Sequence, residues 1–256
     1  MKDLFSSRYY EHNSIIHTLN PTLKLLNIIF FIIILVSIQH YTCFEFLLFT
    51  TIAILITNLA KIPFEKILKE IIIFVPFLFF ILLFALFKEG DSFFKYGLIN
   101  ITYTGIHTFF SLFIKSILSI TMMLILIMTT PFIQILRSLK DLHVPDEIIL
   151  IFFFLYRYSI LFIKEINRLL NAMKIRSVDL SSLDLLKNFG SVIGVVFIRT
   201  FERAERIYQA MLSRGFDTNK FIAAYRSNSV KWHEIYITTG FISIIIILKV
   251  ILSIYV

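Results

Sequence analysis

The sequence predicts an all-α membrane protein of about five transmembrane helices plus a cytoplasmic block of one short and two long helices. Three observations carry that reading. Of 256 residues, 58% are hydrophobic and only 16% charged, against roughly 25% charged in soluble domains. Apolar runs of helical length recur along the chain, and the mean hydropathy is +0.84. Basic residues are unevenly placed, with 15 of the 25 Lys and Arg between residues 131 and 234. The first count argues against a soluble enzyme or a nucleic-acid binder, so the net charge of +8 bears on orientation in a bilayer. The single cysteine, Cys43, excludes an internal disulfide framework and a cysteine-based zinc cluster.

The first span is expected from Leu25 to Phe44, an uncharged run long enough to cross about 30 Å of hydrocarbon as a helix. It starts too late and runs too long for a cleavable signal peptide. The second span is expected at Phe46–Ala60 and the third at Ile71–Phe87, with Pro76 bending it. The fourth runs from Tyr103 to Thr130 and is interrupted only by Lys115. The last is Ile235–Tyr255. Backbone groups in lipid must be bonded within the segment, so these are helices. The positive-inside rule puts residues 131–234 in the cytoplasm. Five crossings then place the N-terminus inside and the C-terminus outside, with the segment Lys88–Lys95 in an outer loop. The chain thus divides into residues 1–130 (spans one to four), 131–234 (the cytoplasmic block) and 235–256 (the last span). Lys115, at membrane depth, is expected to face a bundle interior, a partner or an interface.

In the cytoplasmic block, Pro131 opens a short helix whose apolar face is Phe132, Ile135, Leu136 and Leu139. A long helix is expected from Pro145 to about Arg176, with Phe162, Ile166, Leu169 and Met173 on one stripe. A second long helix, from about Asp184 to Arg214, has Phe197, Phe201, Ala204, Tyr208 and Met211 as its stripe. Glu165, Glu202 and Glu205 are interleaved with basic residues and read as solvated pairs.

A 38-residue offset aligns the ends of the two long helices. Arg168, Ala172, Met173, Arg176 and Asp179 correspond to Arg206, Ala210, Met211, Arg214 and Asp217. Arg168, Ala172 and Arg176 share one helix face, and Ala leaves room for another chain. Arg176 and Arg214 suit helix C-termini, where Gly215 is a natural left-handed cap. An arginine in a last turn followed by glycine is an ordinary helix stop. Two copies, each closing an apolar stripe, instead suggest paired docking tips, since arginine favours interfacial carboxylates.

At these residues the sequence resembles the transmembrane coupling (T) component of energy-coupling factor transporters. His17-Thr-Leu-Asn20-Pro21-Thr-Leu-Lys24 is similar to the family's His-x-Leu-Asp-Pro-x-x-Lys ahead of the first span. Ala210-Met-Leu-Ser213-Arg214-Gly215 fits its short Ala…Arg-Gly motif. The first copy departs from it, with Ser177 where glycine would follow Arg176. Residues Phe197–Met211, Leu142-His143-Val144-Pro145 and Arg157-Tyr158 resemble the cobalt/nickel branch, CbiQ. The resemblance implies a non-catalytic subunit of an importer in the cytoplasmic membrane of a prokaryote. Two ABC-type ATPase subunits would dock on the two long helices, at Ala172, Arg176, Ser177, Ala210, Arg214 and Gly215, supported by Arg168, Met173, Arg206 and Met211. Their movement would pass to a separate substrate-binding membrane (S) subunit, for cobalt or nickel uptake; a vitamin is the alternative cargo. Lys115 is a candidate for facing that partner. No cofactor or bound metal is implied.

Rival classes have less behind them. A lipid-modifying enzyme needs clustered carboxylates for Mg²⁺, and the expected spans contain no Asp or Glu. A self-contained metal carrier would show repeated halves with broken helices, and the histidines are isolated, with His107 alone near membrane depth. A nucleic-acid surface would be one basic stripe, whereas the block alternates 15 basic with 10 acidic residues.

Overall fold

A computed structural model describes residues 14–38, 43–86, 92–96, 99–176, 182–217, 238–240 and 243. Helix α1 (Ile15–Thr18) is capped by Ser14 and leads into α2 (Pro21–Val36). The start of α2 is built from Asn20-Pro21: the Asn20 side chain accepts from the Thr22 amide at 3.0 Å, and Pro21 occupies a position whose N–H would lack a partner anyway. The helix therefore begins before Leu25, and it ends at Val36, short of the expected Phe44. Helix α3 (Cys43–Ala60) then takes in Glu45, which the sequence reading had left between two spans. Lys61 adopts φ +54 and ends α3.

Helix α4 (Phe64–Leu86) runs through Pro76 without interruption. A two-stranded antiparallel hairpin follows, β1 (Ser92–Tyr96) and β2 (Ile99–Thr102), in register with Tyr96 opposite Ile99. This small hairpin replaces an expected loop and leaves the helical class intact. Helix α5 (Tyr103–Thr129) is continuous past Lys115. Its segment Gly105–Thr129, of mean hydropathy 2.2, is among the described residues the one helix long and apolar enough to cross a membrane. Of the expected last span, only 238–240 and 243 are described, and they are helical; the rest lies outside the described residues.

Helices α6 (Phe132–Asp141), α7 (Asp146–Arg176) and α8 (Ser182–Ser213) complete the chain. Two compact units emerge: Met1–Ser138 with Ser227–Val256, and Leu139–Arg226. In the first, α5 is the hub on which α2, α3 and α4 pack. Leu35 (0% exposed), Phe31, Met122 and Ile125 form its centre, and Phe31 meets Phe49 edge-on at 5.5 Å. Buried hydroxyls are satisfied locally: Thr57 and Thr129 each donate to the carbonyl four residues back at 2.8 Å, as an apolar surrounding requires. On its outer face α4 exposes Ile72, Ile73, Phe77, Phe79 and Phe80. Such a contiguous apolar band suits lipid rather than water.

In the second unit, α7 packs on α8. The turn that carries the chain from α6 into α7 is a Schellman closure. The Val144 amide bonds the Leu139 carbonyl at 3.1 Å and the His143 amide bonds that of Lys140 at 3.0 Å, with His143 at φ +62. Lys140 pairs with Asp146 across the turn, and Asp146 and Glu147 occupy the first turn of α7, where negative charge suits the helix dipole.

Candidate functional site

The second unit carries the residues singled out by the repeat. Helix α8 ends in a second Schellman closure. Phe216 N–H bonds the Met211 carbonyl and Gly215 N–H that of Leu212, both at 3.0 Å. Gly215 sits at φ +67, a conformation that costs glycine little and other residues more. The ring of Phe216 turns back to Phe154 of α7, 6.4 Å between centroids. This closure makes Arg214 the cap residue and holds it exposed. On α7, Arg176 is the last helical residue; its side chain and Ser177 lie outside the described residues.

The supporting residues separate into two kinds. Arg168, itself exposed, lies 3.9 Å from the largely buried Glu165, and Arg206 lies 4.0 Å from Glu202 as an exposed pair, each along its own helix. Such pairs contribute little. Met173 is buried, and Ala172 lines a cleft of 320 Å³ against Val192, Val195 and Arg199 of α8. Ala210 is exposed and Met211 half-buried. Ala172 itself is exposed.

The expected stripe of α8 is uncovered: Phe197, Phe201 and Tyr208 are 70%, 64% and 58% exposed. Beside it, an open cleft of 740 Å³ between α7 and α8 is lined by Phe154, Tyr158, Phe162, Arg203, Ile207 and Met211 among others. Within this unit, then, apolar surface and exposed arginines lie along one helix pair.

One assignment is corrected. Glu165 is not a solvated carboxylate: its side chain is 13% exposed, and it accepts from Arg199 of α8 at 3.1 Å. Helical spacing shows only neighbours on the same helix, so a bridge between helices is invisible to it.

Lys115 has an internal partner. Its ammonium donates to the carbonyls of Ile38 at 2.5 Å and Val36 at 3.4 Å, at the C-terminal end of α2. Both acceptors belong to the same chain. Glu45, 7% exposed, is a buried carboxylate within α3, where the sequence predicts spans free of acid. His107 is exposed in the first turns of α5. Among the described residues no three His, Cys, Asp or Glu side chains come together as a metal site.

A profile of the CbiQ family, described as "Cobalt transport protein", matches residues 12–222. The chain is 28% identical over 247 residues to the energy-coupling factor transporter transmembrane protein EcfT of Lactococcus lactis, covering 91% of each chain. It is 29% identical over 242 residues to EcfT of Staphylococcus aureus, covering 90% of this chain and 89% of the other. An uncharacterised protein of Methanocaldococcus jannaschii is 25% identical over 224 residues, which cover 84% of this chain and 76% of the other. With helical apolar segments, paired long helices and a family match over residues 12–222, the chain belongs to the CbiQ family and is a membrane T component of the energy-coupling factor transporter type.

Proposed function

We propose that the chain transmits ATP-driven movement of two partner ATPase subunits to a separate substrate-binding membrane subunit. The observation that supports this best is the end of α8. There an exposed arginine is presented by a closed helix terminus, next to an apolar stripe exposed among the described residues. An exposed apolar face rimmed by charge is a protein-binding surface. Arg214, with Arg176 at the end of α7, would enter grooves on the ATPases and meet carboxylates there, with Ala172, Ser177, Ala210 and Gly215 shaping the contact. Arg168, Met173, Arg206 and Met211 support the two helices. The chain performs no hydrolysis itself, and lipid covers the apolar outer face of α4.

The orientation follows from charge: residues 131–234 and the N-terminus face the cytoplasm, in the inner membrane of a prokaryote. Cobalt is the cargo named in the family description, nickel enters through the resemblance of the motifs alone, and the relatives' name, EcfT, states no cargo.

The test is co-purification of the tagged chain with its ATPase and membrane partners, followed by uptake in proteoliposomes. Arg176→Ala with Arg214→Ala should weaken ATPase docking by about 2–5 kcal/mol per buried ion pair and abolish uptake while the chain still inserts. Normal ATPase retention and uptake by the double variant would remove the docking role. Uptake of cobalt(II) or nickel(II), but not of vitamins, would assign the branch.

A further inference from the structure

Helix α5 ends at Thr129, and Pro131 follows at once. Pro131 offers no N–H, and α6 directs the Gln134 and Ile135 amides to the Pro131 carbonyl, at 2.9 and 3.3 Å. The carbonyl of Thr129 is filled instead by a side chain far away in sequence. Lys24, 5% exposed, donates from Nζ to the Thr129 carbonyl and the Thr130 hydroxyl, each at 3.3 Å, and to the His17 carbonyl at 3.4 Å.

All three acceptors are uncharged oxygens. A buried ammonium without a paired carboxylate is expensive and is retained only where its geometry does something. Here it sits at the negative end of a 27-residue helix, where a cation is favoured. It also sits where α5 gives way to α6, the helix that carries the chain into the second unit. Lys115 does the same at the end of α2. Each lysine thus caps the carbonyl end of the other's helix, which shows that α2 and α5 run antiparallel and are laced at two levels.

We infer that Lys24 is a positioning residue for coupling: it locks the end of α5 to the start of α2, so that movement entering through α6 displaces the bundle instead of bending the Thr130-Pro131 joint. This rests on the coupling role proposed above.

Two spin-label measurements test it in the assembled transporter and in the isolated chain. In the isolated chain, labels at the exposed Ile29 and Met123 report the α2–α5 separation. Lys24→Met should broaden that distribution, and Lys24→Arg, which keeps a charged donor, should restore it; an unchanged distribution in Lys24→Met overturns the lock. In the assembled transporter, labels at the exposed Leu112 and Ile160, neither on the docking stripe, report the ATP-driven change. Lys24→Met should keep its ATPases and their hydrolysis but reduce the shifted population by about tenfold, within the range of ordinary coupling energies. Thr130→Val, which removes one acceptor without touching Lys24, should reduce it by less. A full shift in Lys24→Met overturns the positioning role, and so does loss of the ATPases themselves, because the residue would then act on docking. Absence of any ATP-driven shift in the wild type would instead count against the coupling reading, and the isolated-chain measurement still decides the lock.

Discussion

Replacement of Gly215 isolates one physical term. An added Cβ at Gly215 would meet nothing within 4 Å, so packing is not at issue. The cost comes from φ +67 alone, about 1–2 kcal/mol for an L-residue held in the left-handed region. That is about a 5- to 30-fold shift in the closed helix end. Gly215→Ala should pay this amount, and Gly215→Val more, because a β-branched residue is a poorer fit there. Gly215→Asn should pay least, since Asn tolerates left-handed geometry. Hydrogen exchange reads the closure directly, because the amides of residues 215 and 216 are held by the Leu212 and Met211 carbonyls. Exchange at these two amides should rise in the order Gly, Asn, Ala, Val, and ATPase affinity should fall in the same order. If Val exchanged and docked as Gly does, the closed terminus would not be what presents Arg214.

Three more outcomes are expected. Lys115→Met strips the donor from the Val36 and Ile38 carbonyls and should cost about 1–3 kcal/mol, seen as faster thermal inactivation in detergent; equal half-lives would contradict the capping role. A double-mutant cycle on Glu165 and Arg199 should show about 0.2–1 kcal/mol of coupling, as for other part-exposed ion pairs, and a zero term would make the bridge incidental. His143→Gly should stabilise the α6–α7 turn by about 0.5–1 kcal/mol, because it relieves a left-handed histidine at the cost of a looser unfolded chain. A lower melting temperature would show that the imidazole makes a contact worth more than the strain.

Much of the fold was legible because its causes are local. The end of α3 at Ala60 and the extents of α5, α6 and α7 follow from apolar runs, Pro131, Pro145 and charge. The glycine after Arg214 announced the stop of α8. The first span was misjudged at both ends: the capping pair Asn20-Pro21 begins α2 earlier, and the carbonyls at its other end are satisfied by Lys115, so apolarity beyond Val36 no longer requires helix. Pro76, expected to bend the third span, lies inside the continuous α4.

Composition, charge placement and the repeated arginine tips were sufficient for the sequence alone to determine an all-helical membrane subunit with two long amphipathic helices. What only the tertiary structure decided is which charges are spent inside the chain. Lys24, Lys115 and Glu165 each find a partner on another helix, 34 to 105 residues away. A linear pattern reports which face a residue occupies, but a hydrogen bond depends on which helix lies opposite, and that is set by packing.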